Sequence, residues 1–106
     1  MDTAENLEVT INTPDDCTWS CVWSWTYTGT QDLASVYEEL EITDVYGTLI
    51  DIRREEPHSV EPGQVCSGGG PGDRLLERGN SHWSLRVMQG EVCLGSAGAS
   101  FWAGRY

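Results

Sequence analysis

The chain has 106 residues, 39% of them apolar, and a formal net charge of −11 from 17 acids against 6 bases, every base an arginine. That length supports one domain with a modest core. Such acidity argues against a nucleic-acid partner and against an anionic membrane surface, both of which need clustered Lys and Arg, and no apolar run reaches the roughly 18 residues of a spanning helix.

Residues 1–6 are polar and read as a flexible N-terminal segment ahead of a single β domain over 7–106. Met1 followed by Asp2 to Asn6 looks like the start of a mature exported chain with its signal removed, so a secreted location is expected. Leu7, Val9 and Ile11 alternate along a strand that Pro14 ends. This segment precedes every cysteine. It is either the ordinary first strand of the domain or a strand that inserts into a partner by β-augmentation, which makes Leu7, Val9 and Ile11 candidate partner contacts.

Residues 17–28 divide by parity. Cys17, Trp19, Cys21, Trp23, Trp25 and Tyr27 fall on one face of a strand; Thr18, Ser20, Val22, Ser24, Thr26 and Thr28 fall on the other. Gly29 to Asp32 is a turn. Leu33, Val36, Tyr37 and Leu40 have helical spacing, but the segment runs into an alternating stretch ending at Tyr46. The pattern therefore favours a hairpin of 36–46 with 48–54 about Gly47. Residues 55–62 read as a polar connection. Residues 66–73, with Ser-Gly-Gly-Gly-Pro-Gly, read as a mobile surface loop; they lack the Gly-Lys-Ser/Thr ending of a phosphate loop. Arg74 and Arg78 beside this loop are further candidate partner contacts, as is the acidic stretch around Glu38, Glu39 and Glu41. Trp83, Leu85 and Val87 define the next strand, Gln89-Gly90 a turn, Gly95 to Gly98 a bulge, and 100–106 a last strand.

These elements predict an all-β fold: a small disulfide-stabilised β-sandwich or Greek-key barrel of about six or seven strands. The aromatic face of Trp19, Trp23 and Trp25 is expected to pack on Trp83 and on Phe101 or Trp102. The staples would come from Cys17, Cys21, Cys66 and Cys93. On a strand, Cys17 and Cys21 lie about 13 Å apart, beyond the ~7 Å a disulfide spans, so each is expected to reach Cys66 or Cys93. The competing pairing joins Cys17 to Cys21 through a turn and Cys66 to Cys93. Two disulfides would imply an oxidising compartment. A zinc site of these cysteines with His58 or His82 is the rival, but structural zinc usually takes closely spaced Cys pairs on turns. No metal and no cofactor are expected.

Chemistry is sparse. His58 and His82 read as surface histidines, no Gly-x-Ser-x-Gly elbow occurs, no two carboxylates stand out as a glycosidase pair, and disulfides would leave no nucleophilic thiol. A non-enzymatic domain is expected. The tryptophans have two readings: buried core, or an exposed platform that stacks sugar rings.

Trp25-Thr26-Tyr27 and, after the hairpin, Val60-Glu-Pro-Gly-Gln64 resemble the small disulfide-bonded α-amylase inhibitors of actinomycetes. The resemblance covers two short motifs within residues 21–64. That family is a six-stranded β-sandwich presenting a Trp-Arg-Tyr triplet to its enzyme. Here Thr26 stands at the central position and the cysteine spacing differs, so the resemblance implies only a small secreted β domain that binds another protein, with Trp25 and Tyr27 as contacts. The expected function is a secreted binding domain for a protein partner, such as a secreted hydrolase or a larger extracellular assembly. The alternative is a carbohydrate-binding module using exposed tryptophans.

Overall fold

The computed structural model describes residues 3–14 and 17–103. They form eight strands and no helix: β1 (Ala4–Asn12), β2 (Ser20–Tyr27), β3 (Leu33–Asp44), β4 (Leu49–Arg54), β5 (His58–Val60), β6 (Val65–Pro71), β7 (Gly79–Gln89) and β8 (Val92–Ala103). All pairings are antiparallel. A three-stranded sheet, β1-β2-β6, faces a five-stranded sheet, β4-β3-β7-β8, in which β5 also pairs with β3. The architecture is a β-sandwich, with eight strands where six or seven were expected.

Parity along β2 holds. Cys21, Trp23, Trp25 and Tyr27 point inward and are buried, with Trp19 buried just ahead of the strand. They meet Val36, Leu40 and Ile42 of β3 and Trp83, Leu85 and Val87 of β7 in one core. Phe101 packs against this core, whereas Trp102 points away and is 41% exposed. The helical spacing of Leu33 to Leu40 does not produce a helix. Strand parity from Val36 places Val36, Glu38, Leu40 and Ile42 on the inner face. A helix would leave the long edge of β7 without its partner, and nine ladder pairs from Val36 to Asp44 fill that edge.

β1 starts at Ala4, earlier than the expected Leu7. Ala4 is buried opposite Tyr27. A bulge between Glu5 and Glu8, with Asn6 at φ 56°, shifts the inward parity from Ala4 to Leu7, Val9 and Ile11. These three pack against the core as part of an ordinary first strand.

The largest departure from expectation is the glycine-rich stretch. It is strand β6, not a loop, and pairs with β2 from Val65↔Thr26 to Pro71↔Ser20. Glycine is what permits the pairing. Gly69 has φ +152°, and a side chain there would collide with the Cys21 carbonyl oxygen. At Gly72 a side chain would occupy the Trp19 indole. Flexible composition here marks close approach of backbone to backbone and ring, not mobility.

The predicted disulfides are absent: Cys17, Cys21, Cys66 and Cys93 are all thiols. Register explains this. Cys21 pairs with Gly70 and Cys66 with Trp25, so the two inward thiols on neighbouring strands lie four rises apart, about 13 Å. Cys93 is exposed on β8 of the other sheet, opposite Met88. Cys17 precedes the Ser20 end of β2, whereas Thr3, bonded to the Leu94 carbonyl beside Cys93, lies at the Tyr27 end. Hydrophobic closure of two sheets over a tryptophan-rich core holds the fold instead.

Candidate functional site

Two carboxylates lie between the sheets, each tied to an indole of the β2 segment. Asp51 Oδ2 of β4 accepts from Trp19 Nε1 at 2.9 Å and from the backbone N–H groups of Asp73 and Arg74 at 2.9 and 3.0 Å. Glu38 Oε2 of β3 accepts from Trp25 Nε1 at 2.8 Å and is joined by His58 Nε2 at 2.8 Å. Asp51 is fully occupied, its Oδ1 accepting from Ile52 N at 2.8 Å. Glu38 is not. Its side chain is 1% exposed, yet Oε1 has no hydrogen-bond partner among the described residues.

Glu38 forms the floor of a cleft of about 450 Å³ lined by Trp23, Glu55, Glu56, His58, Gln64 and Cys66. The cleft opens where the free edge of β6 faces β5 and the segment after β4. Beside it, Arg53 donates to the carbonyls of Gly69 at 2.8 Å and Pro71 at 3.1 Å while pairing with Glu55 of the lining at 2.7 Å. Trp23 Nε1 is a second buried group there with no hydrogen-bond partner among the described residues. The Glu38 carboxylate, His58 imidazole and Cys66 sulfur lie within 4.8 Å of one another. Burial first, and then the negative charge of Glu38, push the Cys66 thiol up; burial also pushes up that of Cys21, against the pull of Arg53. Neither is a ready nucleophile.

The candidate residues read from sequence do not share a surface. Trp25 and Tyr27 are buried, Tyr27 Oη donating to the Gln31 carbonyl at 2.6 Å. They cannot present the exposed triplet of the amylase inhibitors. Trp19, Trp23, Trp25 and Trp83 are all core residues, so no exposed tryptophan platform forms on β2. Leu7, Val9 and Ile11 face the core. Arg74 is exposed and held by its backbone to Asp51, and Arg78 precedes β7. The acidic stretch divides by parity. Glu38 points in, while Glu39 and Glu41 lie on the outer face against Arg86, with Arg54 also on Glu39. Burial alone would raise the Glu39 carboxyl, but the two arginines outweigh it and hold it below the ordinary range.

His82 is exposed, as expected. His58 is not a histidine of a polar loop; it opens β5 and turns its ring into the cleft. No local pattern marks Glu38, His58 and Cys66 as a group. They sit on β3, β5 and β6: pairing sets His58 beside Glu38 in one sheet, and packing of the two sheets face to face brings Cys66 of the other to them.

The fold and the cleft define the chain as a small antiparallel β-sandwich domain. No family model matches it, nor does any curated protein sequence. Solved structures match in fold. A β-glucuronidase from glycoside hydrolase family 2 superposes with TM-score 0.74 at 6% identity over 92% of this chain and 11% of its own. The Bacteroides uniformis β-glucuronidase gives 0.72 at 8% identity over 92% and 13%. The C-terminal domain of wzt gives 0.68 at 12% identity over 94% and 68%. The chain thus spans about a tenth of the length of those glycosidases and matches one β-sandwich domain within them.

Proposed function

We propose that the chain is a non-catalytic β-sandwich module that binds a neutral carbohydrate in the β5–β6 cleft. The observation that carries this reading is the cleft itself: an open space of about 450 Å³ lined by Glu55, Glu56, Gln64 and an edge of the otherwise buried Trp23 ring, whose indole N–H has no partner among the described residues. Ligand sites of this size pair a hydrophobic surface with a few convergent polar groups. The carboxylates repel uronate and sulfate groups, so the ligand is a neutral glycan. The sandwich domains it resembles in shape belong to chains named as β-glucuronidases, which supports a role beside carbohydrate chemistry. Absence of catalysis is supported by the groups at hand. Glu38 Oε2 is tied to Trp25 and His58, Glu55 to Arg53, and burial disfavours the Cys66 thiolate. A secreted location, expected from disulfides, loses that support because no disulfide is formed among the described residues.

The test is titration with neutral and anionic oligosaccharides, followed by the Trp23 indole N–H resonance. A neutral glycan shifts it, and Trp23→Phe abolishes binding while Tyr46→Ser does not. Tighter binding of anionic glycans, or binding unchanged in Trp23→Phe, rejects the assignment.

A protein partner is the second reading. Its support is the β3–β4 turn, where Val45, Tyr46 and Leu49 are exposed, Tyr46 at 88%. Loss of partner capture in Tyr46→Ser, with glycan binding absent, would favour it.

A further inference from the structure

We propose that Glu38, His58 and Cys66 form a zinc-binding site at the floor of the cleft. This goes beyond the carbohydrate reading and does not depend on it. One carboxylate, one imidazole and one sulfur are a donor set suited to Zn²⁺, which takes O, N and S ligands at about 2.0–2.3 Å in tetrahedral arrangement. One donor atom from each of the three already lies within 4.8 Å of the others, and the 2.8 Å contact of His58 Nε2 with Glu38 Oε2 gives way when Nε2 turns to the ion. Side-chain adjustment of about 1 Å brings them to the spacing a tetrahedral ion requires.

Three further observations point to a cation. Glu38 Oε1 is a buried carboxyl oxygen with no hydrogen bond among the described residues, in a side chain 1% exposed. A buried lone pair of this kind is costly unless something positive meets it. The groups around the three ligands are also arranged as outer partners of a metal site. Trp25 Nε1 holds the other carboxylate oxygen at 2.8 Å, and His58 Nδ1 lies 3.3 Å from the Ser59 carbonyl. With its proton on Nδ1, donated to that carbonyl, His58 presents the Nε2 lone pair to the ion; a backbone carbonyl commonly fixes a ligating histidine in this way. Finally, the charges close. Glu38 carboxylate, Cys66 thiolate and neutral His58 leave a Zn²⁺ complex with no net charge, the least costly state for a half-enclosed site. Binding moves the His58 proton from Nε2 to Nδ1 and releases the Cys66 Sγ proton to solvent. The fourth position faces the cleft and takes a water molecule.

The test uses the full chain, freed of metal by chelator and kept reduced, titrated with Zn²⁺ against a chromogenic chelator and with Co²⁺ as a spectroscopic substitute. The expected result is one ion per chain, a thiolate-to-cobalt charge-transfer band and the strong visible bands of four-coordinate Co²⁺. Cys66→Ser and His58→Gln remove these features, and zinc affinity falls by more than the roughly 10–100-fold that loss of an outer partner costs. Cys93→Ser, at the exposed thiol of β8, leaves them unchanged. Circular dichroism of the metal-free variants reports folding; His58→Gln, at a half-exposed position, keeps the test decisive if Cys66→Ser does not fold. A six-coordinate Co²⁺ spectrum without the charge-transfer band overturns the assignment. So does affinity unchanged in His58→Gln, a band lost in Cys93→Ser, or no binding at micromolar zinc. None of these readouts involves a glycan, so the zinc site and the carbohydrate reading fail separately.

Discussion

Trp19 and Asp51 join the two sheets by one hydrogen bond: the indole Nε1 ahead of β2 donates to the carboxylate Oδ2 of β4 at 2.9 Å. Both side chains are buried. The same carboxylate accepts from two backbone N–H groups beyond β6 and one of its own strand. A single inward acid thus organises the indole, the sheet and the connection to β7.

Replacing that acid should therefore be costly. Asp51→Ala leaves the Trp19 indole and the Asp73 and Arg74 amides without their buried acceptor, a penalty of about 3 kcal/mol. The expected thermal midpoint falls by more than roughly 10 °C. A midpoint within a few degrees of the parent would show that water replaces the carboxylate.

On the outer face, Glu39 sits between Arg54 and Arg86. Its folded-state pKa lies below the ordinary value of 4.5, because the arginines outweigh burial. The sign follows directly. A lowered carboxylate pKa stabilises the fold above the unfolded-state pKa, and the contribution is lost as pH falls through the folded-state value. Glu39→Gln should lower stability by about 1 kcal/mol at neutral pH. The gap between variant and parent should close on acidification below 4.5. A gap independent of pH, measured by thermal melts across this range, would assign the effect to packing.

Gly69→Ala should destabilise strongly, by roughly 2 kcal/mol or more, because φ +152° disfavours any side chain and the added methyl meets the Cys21 carbonyl. Gly63→Ala, where nothing lies near the added carbon, carries only the backbone strain of φ +83°. Equal melting of the two variants would argue against a β2–β6 pairing this close.

Thiol chemistry offers a further check. Reducing agent should leave the thermal midpoint unchanged, since no disulfide supports the fold. In the native protein Cys93 should be alkylated first, because it is exposed. Cys21 and Cys66 should react slowly, burial being the main reason their thiols stay protonated. Mass mapping after timed alkylation reads the order. A midpoint that drops on reduction would restore the stapled fold.

Much of the fold is legible along the chain. The alternation of Trp19 to Tyr27, of Trp83 to Val87 and of the 36–54 hairpin reports strand and inward face directly, because side chains on a strand change sides at every residue. Two kinds of fact are not legible there. The glycines of residues 68–72, in and just after β6, look like a loop, since a missing side chain records what lies opposite it, here the Cys21 carbonyl and the Trp23 and Trp19 rings, and not what the local backbone prefers. The cysteines look like staples, yet whether two thiols meet depends on cross-strand register, and register places Cys21 and Cys66 about 13 Å apart. Packing of one sheet on the other carries Glu38 and His58 to Cys66, 28 positions after Glu38, in one cleft. The one-dimensional pattern determined the all-β class, the inward face and the core. Only the tertiary structure decided the site, because its geometry is set by which strands lie side by side and by how the two sheets pack face to face.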